Sequence, residues 1–223
     1  MMSTPTLVIG TKNYSSWSLR AWLFLHASGV DFEERRIPLD TPGFKAEIAE
    51  LSPTGCVPVL LNGPTRVWEA LAICEYVNEL NGLAGWPAET GARGLALAIC
   101  HEMHAGFAAL REELPMNCRA RRTGVVPSAK ARGDIDRILS IWADCRARYG
   151  DTGPYLFGDF GIADAMYAPV VMRCLTYGVE LHPVCADYAA TVVAHPSMQA
   201  WITAAKAESE TIEHEERGVD VTG

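Results

Sequence analysis

Gly55-Cys56-Val57-Pro58-Val59-Leu60, with Glu69-Ala70-Leu71-Ala72-Ile73 beginning eleven residues after the proline, is the stretch that decides how this chain folds. Pro58 has no N–H to give a sheet ladder, yet it stands among residues of strand character. It therefore belongs at a strand start, an edge or a bend. An X-Pro bond is also the one peptide bond that can be kept cis at small cost. A cis bend at Pro58 would turn the Val57 backbone outward, where its N–H and C=O can pair with an extended peptide-like ligand. Glu69 then falls where a helix begins, beside backbone N–H groups that attract carboxylates. Together the two features describe a receptor for a small zwitterionic peptide.

The 223 residues are enough for one large domain or two modest ones. Hydrophobic residues make up 49%, ample for a core, and the 21% of charged residues is ordinary for a soluble chain. A net charge of −8 argues against a nucleic-acid partner, which favours a basic surface. No run reaches the roughly 20 apolar residues that span a bilayer, and MMSTPTLVIG lacks the charged start and long apolar core of a secretory signal. Seven cysteines (56, 74, 100, 118, 145, 174 and 185) are scattered without a C-x-x-C pair. That usage fits reduced thiols, and a cytoplasmic location with no membrane partner is expected.

Thr6–Gly10 and Phe32–Ile37 read as short strands, with a densely apolar helix from Ser15 to Ser28 between them, closed by Gly29. A helix over Phe44–Leu51 follows, stopped by Ser52-Pro53. Val57–Leu61 and Arg66–Trp68 flank Asn62-Gly63, a hairpin signal. Glu69–Leu80 then reads as a helix. The order β-α-β-α-β-β-α is a compact α/β unit. Asn81–Gly91, with three glycines and a proline, reads as a linker. Beyond it, helices are expected over Gly94–Glu113, Ala129–Tyr149, Ile162–Leu175, Val184–Ala194 and Ser197–Glu208, with at most a short strand at Tyr155–Phe157. From Glu213 onward the chain reads as a mobile tail.

That order, with Val-Pro before the third strand and an all-α second half, resembles the cytosolic glutathione transferases. Four local signals carry the resemblance. Asn13-Tyr14-Ser15-Ser16-Trp17-Ser18-Leu19-Arg20 is similar to the serine-type active-site loop of the theta and zeta classes. Ser52-Pro53-Thr54-Gly55-Cys56-Val57-Pro58-Val59-Leu60 is similar to the family's N-P-x-G-x-V-P-x-L. Trp68-Glu69-Ala70-Leu71-Ala72-Ile73 stands where E-S-x-A-I is usual, and Gly158-Asp159-Phe160-Gly161-Ile162-Ala163-Asp164 where G-x-x-[ST]-x-A-D is. The resemblance implies an α/β thioredoxin-like glutathione-binding domain over 1–82 and an all-α domain over 92–213. It further implies glutathione as cofactor, a small electrophile as second substrate, a detoxifying transferase activity and a homodimer. Three departures stand out: Ala70 for a serine that bonds the γ-glutamyl carboxylate, Gly161 for a capping Ser or Thr, and Cys56 for a polar residue.

Glutathione reacts as its thiolate, and a thiol of pKa ~8.5 is only slightly ionised at neutral pH. A hydroxyl donating to sulfur near a helix N-terminus favours the charged form. Ser15 and Ser16 sit at the start of the first helix, where both conditions can be met; the plain alternative is that they only cap that helix. The zeta-like alignment picks Ser15, with Tyr14 as rival. Cys56, Val57, Pro58, Glu69 and Ala70 are the cofactor-binding residues that the resemblance implies. Arg20 is placed to stabilise the loop or to reach an acidic substrate. His101 and His104 have no convincing third ligand, so no metal is expected. Arg119, Arg121, Arg122, Lys130 and Arg132 form a basic loop, solvated or bordering a second-substrate pocket. A maleylacetoacetate isomerase is the alternative enzyme. The zeta pattern puts an arginine seven residues after the helix proline, whereas here that position is Thr176 and the nearest base is Arg173. A non-catalytic binding module is the third reading.

Overall fold

Aliphatic and β-branched residues near the amino end build one mixed sheet whose two faces are covered differently. In a computed structural model that describes residues 4–221, β1 (Thr6–Ile9) lies parallel to β2 (Glu33–Arg36) and antiparallel to β3 (Val59–Asn62). β3 turns back into β4 (Thr65–Trp68) through Gly63-Pro64, with Gly63 at φ +58°, so the sheet order is β2-β1-β3-β4. Only glycine takes that φ readily. Side chains alternate across the sheet. Leu7, Ile9 and Leu60 join the main core with α1 (Ser16–Ala27) and α3 (Ala70–Leu80). Val8 and Val59 face the other way, onto Ile48 of α2 (Phe44–Leu51). β2 is one of the two edge strands and its Glu-Glu-Arg-Arg sequence is wholly exposed, a charged edge that resists further pairing.

The second half contains α4 (Thr90–Ala105), α5 (Ala108–Glu113), α6 (Ala129–Tyr149), α7 (Ile162–Tyr177), α8 (Pro183–Ala194) and α9 (Pro196–Ala207). Almost every side chain of α7 is buried, and it packs against α1, α3, α4 and α8. The main core therefore runs without a break from the sheet into the helices. This is the thioredoxin-like unit plus helical half that the sequence implies.

At the head of α7, the buried Asp164 carboxylate accepts from the N–H groups of Gly161 (2.9 Å) and Leu156 (3.0 Å). The Ile162 N–H donates to the Gly85 carbonyl in the linker (3.0 Å). A Cβ on residue 161 would stand 2.8 Å from that same carbonyl oxygen, which is why glycine replaces the usual Ser or Thr. Glu89 caps α4 from the linker's end, so that helix starts at Thr90 rather than Gly94.

Three expectations are corrected. The helix over Gly94–Glu113 is broken at Gly106-Phe107, where Phe107 is left-handed (φ +56°) and Asp134 of α6 accepts from the Leu110 N–H (3.0 Å). Tyr155–Phe157 forms isolated bridges, not a strand. The residues from Glu213 to Val221 fold back on the chain instead of forming a mobile tail. There β6 (Val219–Asp220) pairs with β5 (Arg122–Thr123), so the second half is not wholly helical. Residues 1–3 of the expected first domain and 222–223 of the expected tail lie outside the described residues.

Candidate functional site

The loop from Gly10 to Ser15 joins β1 to α1, and its backbone is tied down on nearly every side. Gly10 N–H donates to Ser18 Oγ (3.0 Å) and Ser15 Oγ donates to the same oxygen (2.7 Å). The Glu208 carboxylate accepts from the N–H groups of Lys12 (2.8 Å) and Asn13 (2.9 Å). Trp201 Nε1 donates to the Lys12 carbonyl (3.1 Å). Tyr14 donates its hydroxyl to Glu216 (2.5 Å) and accepts from Arg119 (2.8 Å). The Tyr14 hydroxyl is thus occupied by the carboxyl-terminal segment. Arg122 and Asn117 Nδ2 also bind Glu216. Arg119 and Arg122 of the basic loop are therefore neither solvated nor at the pocket: they clamp this segment.

Ser15 is the N-cap of α1 by position, yet its side chain makes no capping bond. Ser16 is placed differently. Its Oγ accepts from Nη2 of Arg173 on α7 (3.2 Å), and its carbonyl accepts from Nη1 of Arg20 (3.0 Å). Arg20 is fully buried, donates Nε to the Met166 carbonyl (2.9 Å), and lies 4.3 Å from the centre of the Trp17 ring. It stabilises the loop from behind and lines no part of the cavity. Burial, then Arg173 and Arg111, push the Arg20 pKa down; burial also lowers that of Arg173, to about 10.

Ser15 and Ser16 open onto a cavity of about 390 Å³, whose walls include Trp17, Cys56, Val57, Arg111, Arg173 and Glu215. An adjoining cavity of about 130 Å³ shares Trp17, Cys56 and Val57 and ends at Pro58 and Glu69. One groove therefore runs from the start of α3 to the start of α1. The Val57–Pro58 peptide is cis. Neither the amide nor the carbonyl of Val57 is hydrogen-bonded among the described residues, so both stand open to a ligand. Glu69 precedes α3 in a conformation that non-glycine residues seldom adopt (φ +68°, ψ 124°). Its exposed carboxylate lies 3.8 Å from Nε2 of His104. Ala70 is buried at the first position of α3, so what it presents is its backbone N–H, which has no intrahelical acceptor. Cys56 is the one exposed thiol among seven unpaired cysteines. A larger cavity of about 530 Å³, between Trp86 and Phe160, brings together none of these residues.

Of the site residues expected from sequence, the groove brings together Ser15, Ser16, Cys56, Val57, Pro58 and Glu69; Ala70 follows Glu69, buried at the start of α3, and lines neither cavity. It adds Trp17, Arg111, Arg173 and Glu215, with His104 beside Glu69. One signal was available for Arg173, a lone charge inside Val170-Val171-Met172-Arg173-Cys174-Leu175. Nothing local marks Arg111 or Glu215, which reach the cavity only through tertiary packing.

A thioredoxin-like unit and a helical half that meet at a groove for an extended ligand define the class of protein. The comparisons agree with it. Residues 14–80 match the family model for the glutathione S-transferase N-terminal domain, and residues 102–204 match that for its C-terminal domain. The chain belongs to the glutathione S-transferase family. It is 28% identical over 189 residues to glutathione S-transferase 1 of Dianthus caryophyllus, covering 80% of this chain and 82% of that one. The crystal structure of a glutathione transferase homologue from Burkholderia GL BGR1, with bound glutathione, superposes with a TM-score of 0.70 at 25% identity, covering 92% of this chain and all of the other. A probable maleylacetoacetate isomerase of Caenorhabditis elegans is more distant, at 24% identity over 206 residues, 87% of this chain and 94% of the relative.

Proposed function

We propose that the groove from Glu69 to Ser16 binds glutathione and presents its thiolate to a small electrophile. The shared groove carries this reading, because it brings a free extended backbone, a helix start with a carboxylate, and two hydroxyls at a second helix start into one line. Glu69 and the Ala70 N–H take the charged γ-glutamyl end. The Val57 amide and carbonyl pair with the cysteinyl residue, Pro58 fixes the bend that exposes them, and Cys56 flanks the ligand backbone. The sulfur then lies at the start of α1.

Of the two serines, the geometry favours Ser16 as the donor to sulfur. Ser15 spends its proton on Ser18, whereas Ser16 accepts from the Arg173 guanidinium and keeps its own proton free. A donor polarised by a cation makes a stronger hydrogen bond to an anion. Ser15 then positions the loop. The thiol proton passes to solvent on binding, and the thiolate attacks the electrophilic carbon as the leaving group departs with its electron pair.

The same reading assigns 1–82 and 92–213 as domains, a homodimer in which the sheet half of one subunit packs on the helical half of the other, and removal of reactive electrophiles in the cytoplasm. The family resemblance supports the dimer, and the seven unpaired thiols support the compartment. Calorimetric titration of the purified protein with glutathione tests the core of it. We expect saturable binding that weakens about tenfold or more in Glu69→Ala. No heat of binding at millimolar glutathione, with the protein folded, would overturn the reading.

A further inference from the structure

Positive charge at the Ser16 end of the groove is not ion-paired, although Glu215 lines the same cavity. Arg20, Arg111 and Arg173 are grouped behind and beside Ser16, and none forms an ion pair with an acidic side chain among the described residues. Arg173 and Arg20 bond neutral oxygens instead. Arg173 donates to the carbonyls of Arg111 (3.2 Å) and Leu114 and to Ser16 Oγ, and Arg20 to the carbonyls of Met166 and Ser16. Arg20 Nη2, Arg111 Nε and Arg173 Nε are buried with no acceptor, although Arg173 is only 4% exposed and Arg20 not at all. Other arginines of the chain, Arg36, Arg119, Arg122, Arg137 and Arg148 among them, have carboxylate partners. A buried guanidinium left without an anion costs several kcal/mol, so the cluster fits a liganded state in which anions arrive from outside.

Arg20 lies behind the wall, so the charge open to a ligand is that of Arg111 and Arg173, whose Nε atoms have no acceptor among the described residues. Glu215 lines the same cavity but forms no ion pair with either among the described residues. The flat Trp17 ring, with the Arg111 guanidinium 5.4 Å from its centre, offers a surface for an unsaturated or aromatic body beside that charge.

We propose that the electrophile of this enzyme carries a carboxylate, held by Arg111 and Arg173 while its reactive carbon lies over the thiolate. The proposal rests on the transferase reading above and names its substrate class. A planar carboxylate matches the guanidinium fork better than any neutral group does.

The test compares 4-chloro-3-nitrobenzoate with the neutral 4-chloro-3-nitrobenzamide. In both, the C–S bond forms as the C–Cl bond breaks, and chloride leaves with the electron pair. With each rate divided by its uncatalysed rate, kcat/KM for the acid should exceed that for the amide by about tenfold or more. The ratio should fall towards one in Arg111→Gln and, as a variant that keeps the buried charge, in Arg173→Lys. A ratio near one in the wild type, or one that neither variant changes, overturns the proposal even if both compounds are turned over and the transferase reading stands. Calorimetry with S-methylglutathione present gives a readout that needs no turnover. Tighter binding of the acid than of the amide, lost in Arg111→Gln, upholds the anion site even if the transferase reading fails. Equal binding of the two removes it.

Discussion

Two adjacent hydroxyls at the start of α1 differ in where their protons go, and this separates their roles. Ser16 Oγ accepts from Arg173 and Ser15 Oγ donates to Ser18. Removing a hydrogen bond to a charged sulfur costs about 1.5–3 kcal/mol, so Ser16→Ala should lower kcat/KM by roughly ten- to hundredfold. Glutathione affinity should change little, because Glu69 and the Val57 backbone hold the rest of the tripeptide. Ser15→Ala should do less, and Tyr14→Phe less again, since that hydroxyl already serves Glu216. Steady-state kinetics on the three variants ranks them. A larger defect in Ser15→Ala would return the role to the residue that the zeta-like alignment picks.

The element that depends most on one side chain is α7. Asp164 is fully buried and satisfies two N–H groups at the helix head, and burial pushes its carboxyl up to about 6. Asp164→Ala leaves both N–H groups without an acceptor and should cost about 2–5 kcal/mol in urea unfolding. Because the folded-state pKa is raised, the native state holds this proton more tightly than the unfolded chain does. The stability it lends is complete below the unfolded carboxyl pKa and is lost as pH rises through about 6. Relative to Asp164→Asn, which does not titrate, the wild type should therefore lose up to about 3 kcal/mol between roughly pH 4 and pH 7. A pH-independent difference between the two would mean that the carboxyl does not titrate in this window. The motif that ends in Asp164 and nearly every element were legible in the sequence, because periodicity, the Asn62-Gly63 turn and the Ser52-Pro53 stop act locally. The break at Gly106 had a local sign in its glycine, but the left-handed Phe107 and the Asp134 cap depend on α6, which is distant in the chain.

For the molecule as a whole, the decisive contacts are those that span it. Glu208 and Glu216 lie about two hundred residues beyond the loop they hold at Lys12, Asn13 and Tyr14. A run of acids reads as a solvated tail when its basic partners, Arg36, Arg119 and Arg122, are spread along the chain. Arg111 and Glu215 escaped reading for the same reason, whereas the groove's own residues sit in compact motifs. If the carboxyl-terminal segment braces the loop, Glu208→Ala should speed amide exchange at Lys12 and Asn13 and raise KM for glutathione by a few-fold, with the helical core unaffected. Unchanged protection at those two amides would show that the loop holds itself. In sedimentation at micromolar protein we expect a dimer. A monomer that is active at that concentration would count against the assembly.

The central claim, that a hydroxyl beside a buried cation at a helix start ionises the glutathione thiol, is tested most directly by titrating the ultraviolet absorbance of the thiolate in the binary complex. Bound to the wild type, the thiol should titrate well below its ordinary pKa of ~8.5. In Ser16→Ala the midpoint should move back by about one to two units, one unit corresponding to about 1.4 kcal/mol of lost preference for the charged form. A wild-type complex that titrates like free glutathione, or a midpoint that Ser16→Ala and Ser15→Ala both leave in place, would contradict the account.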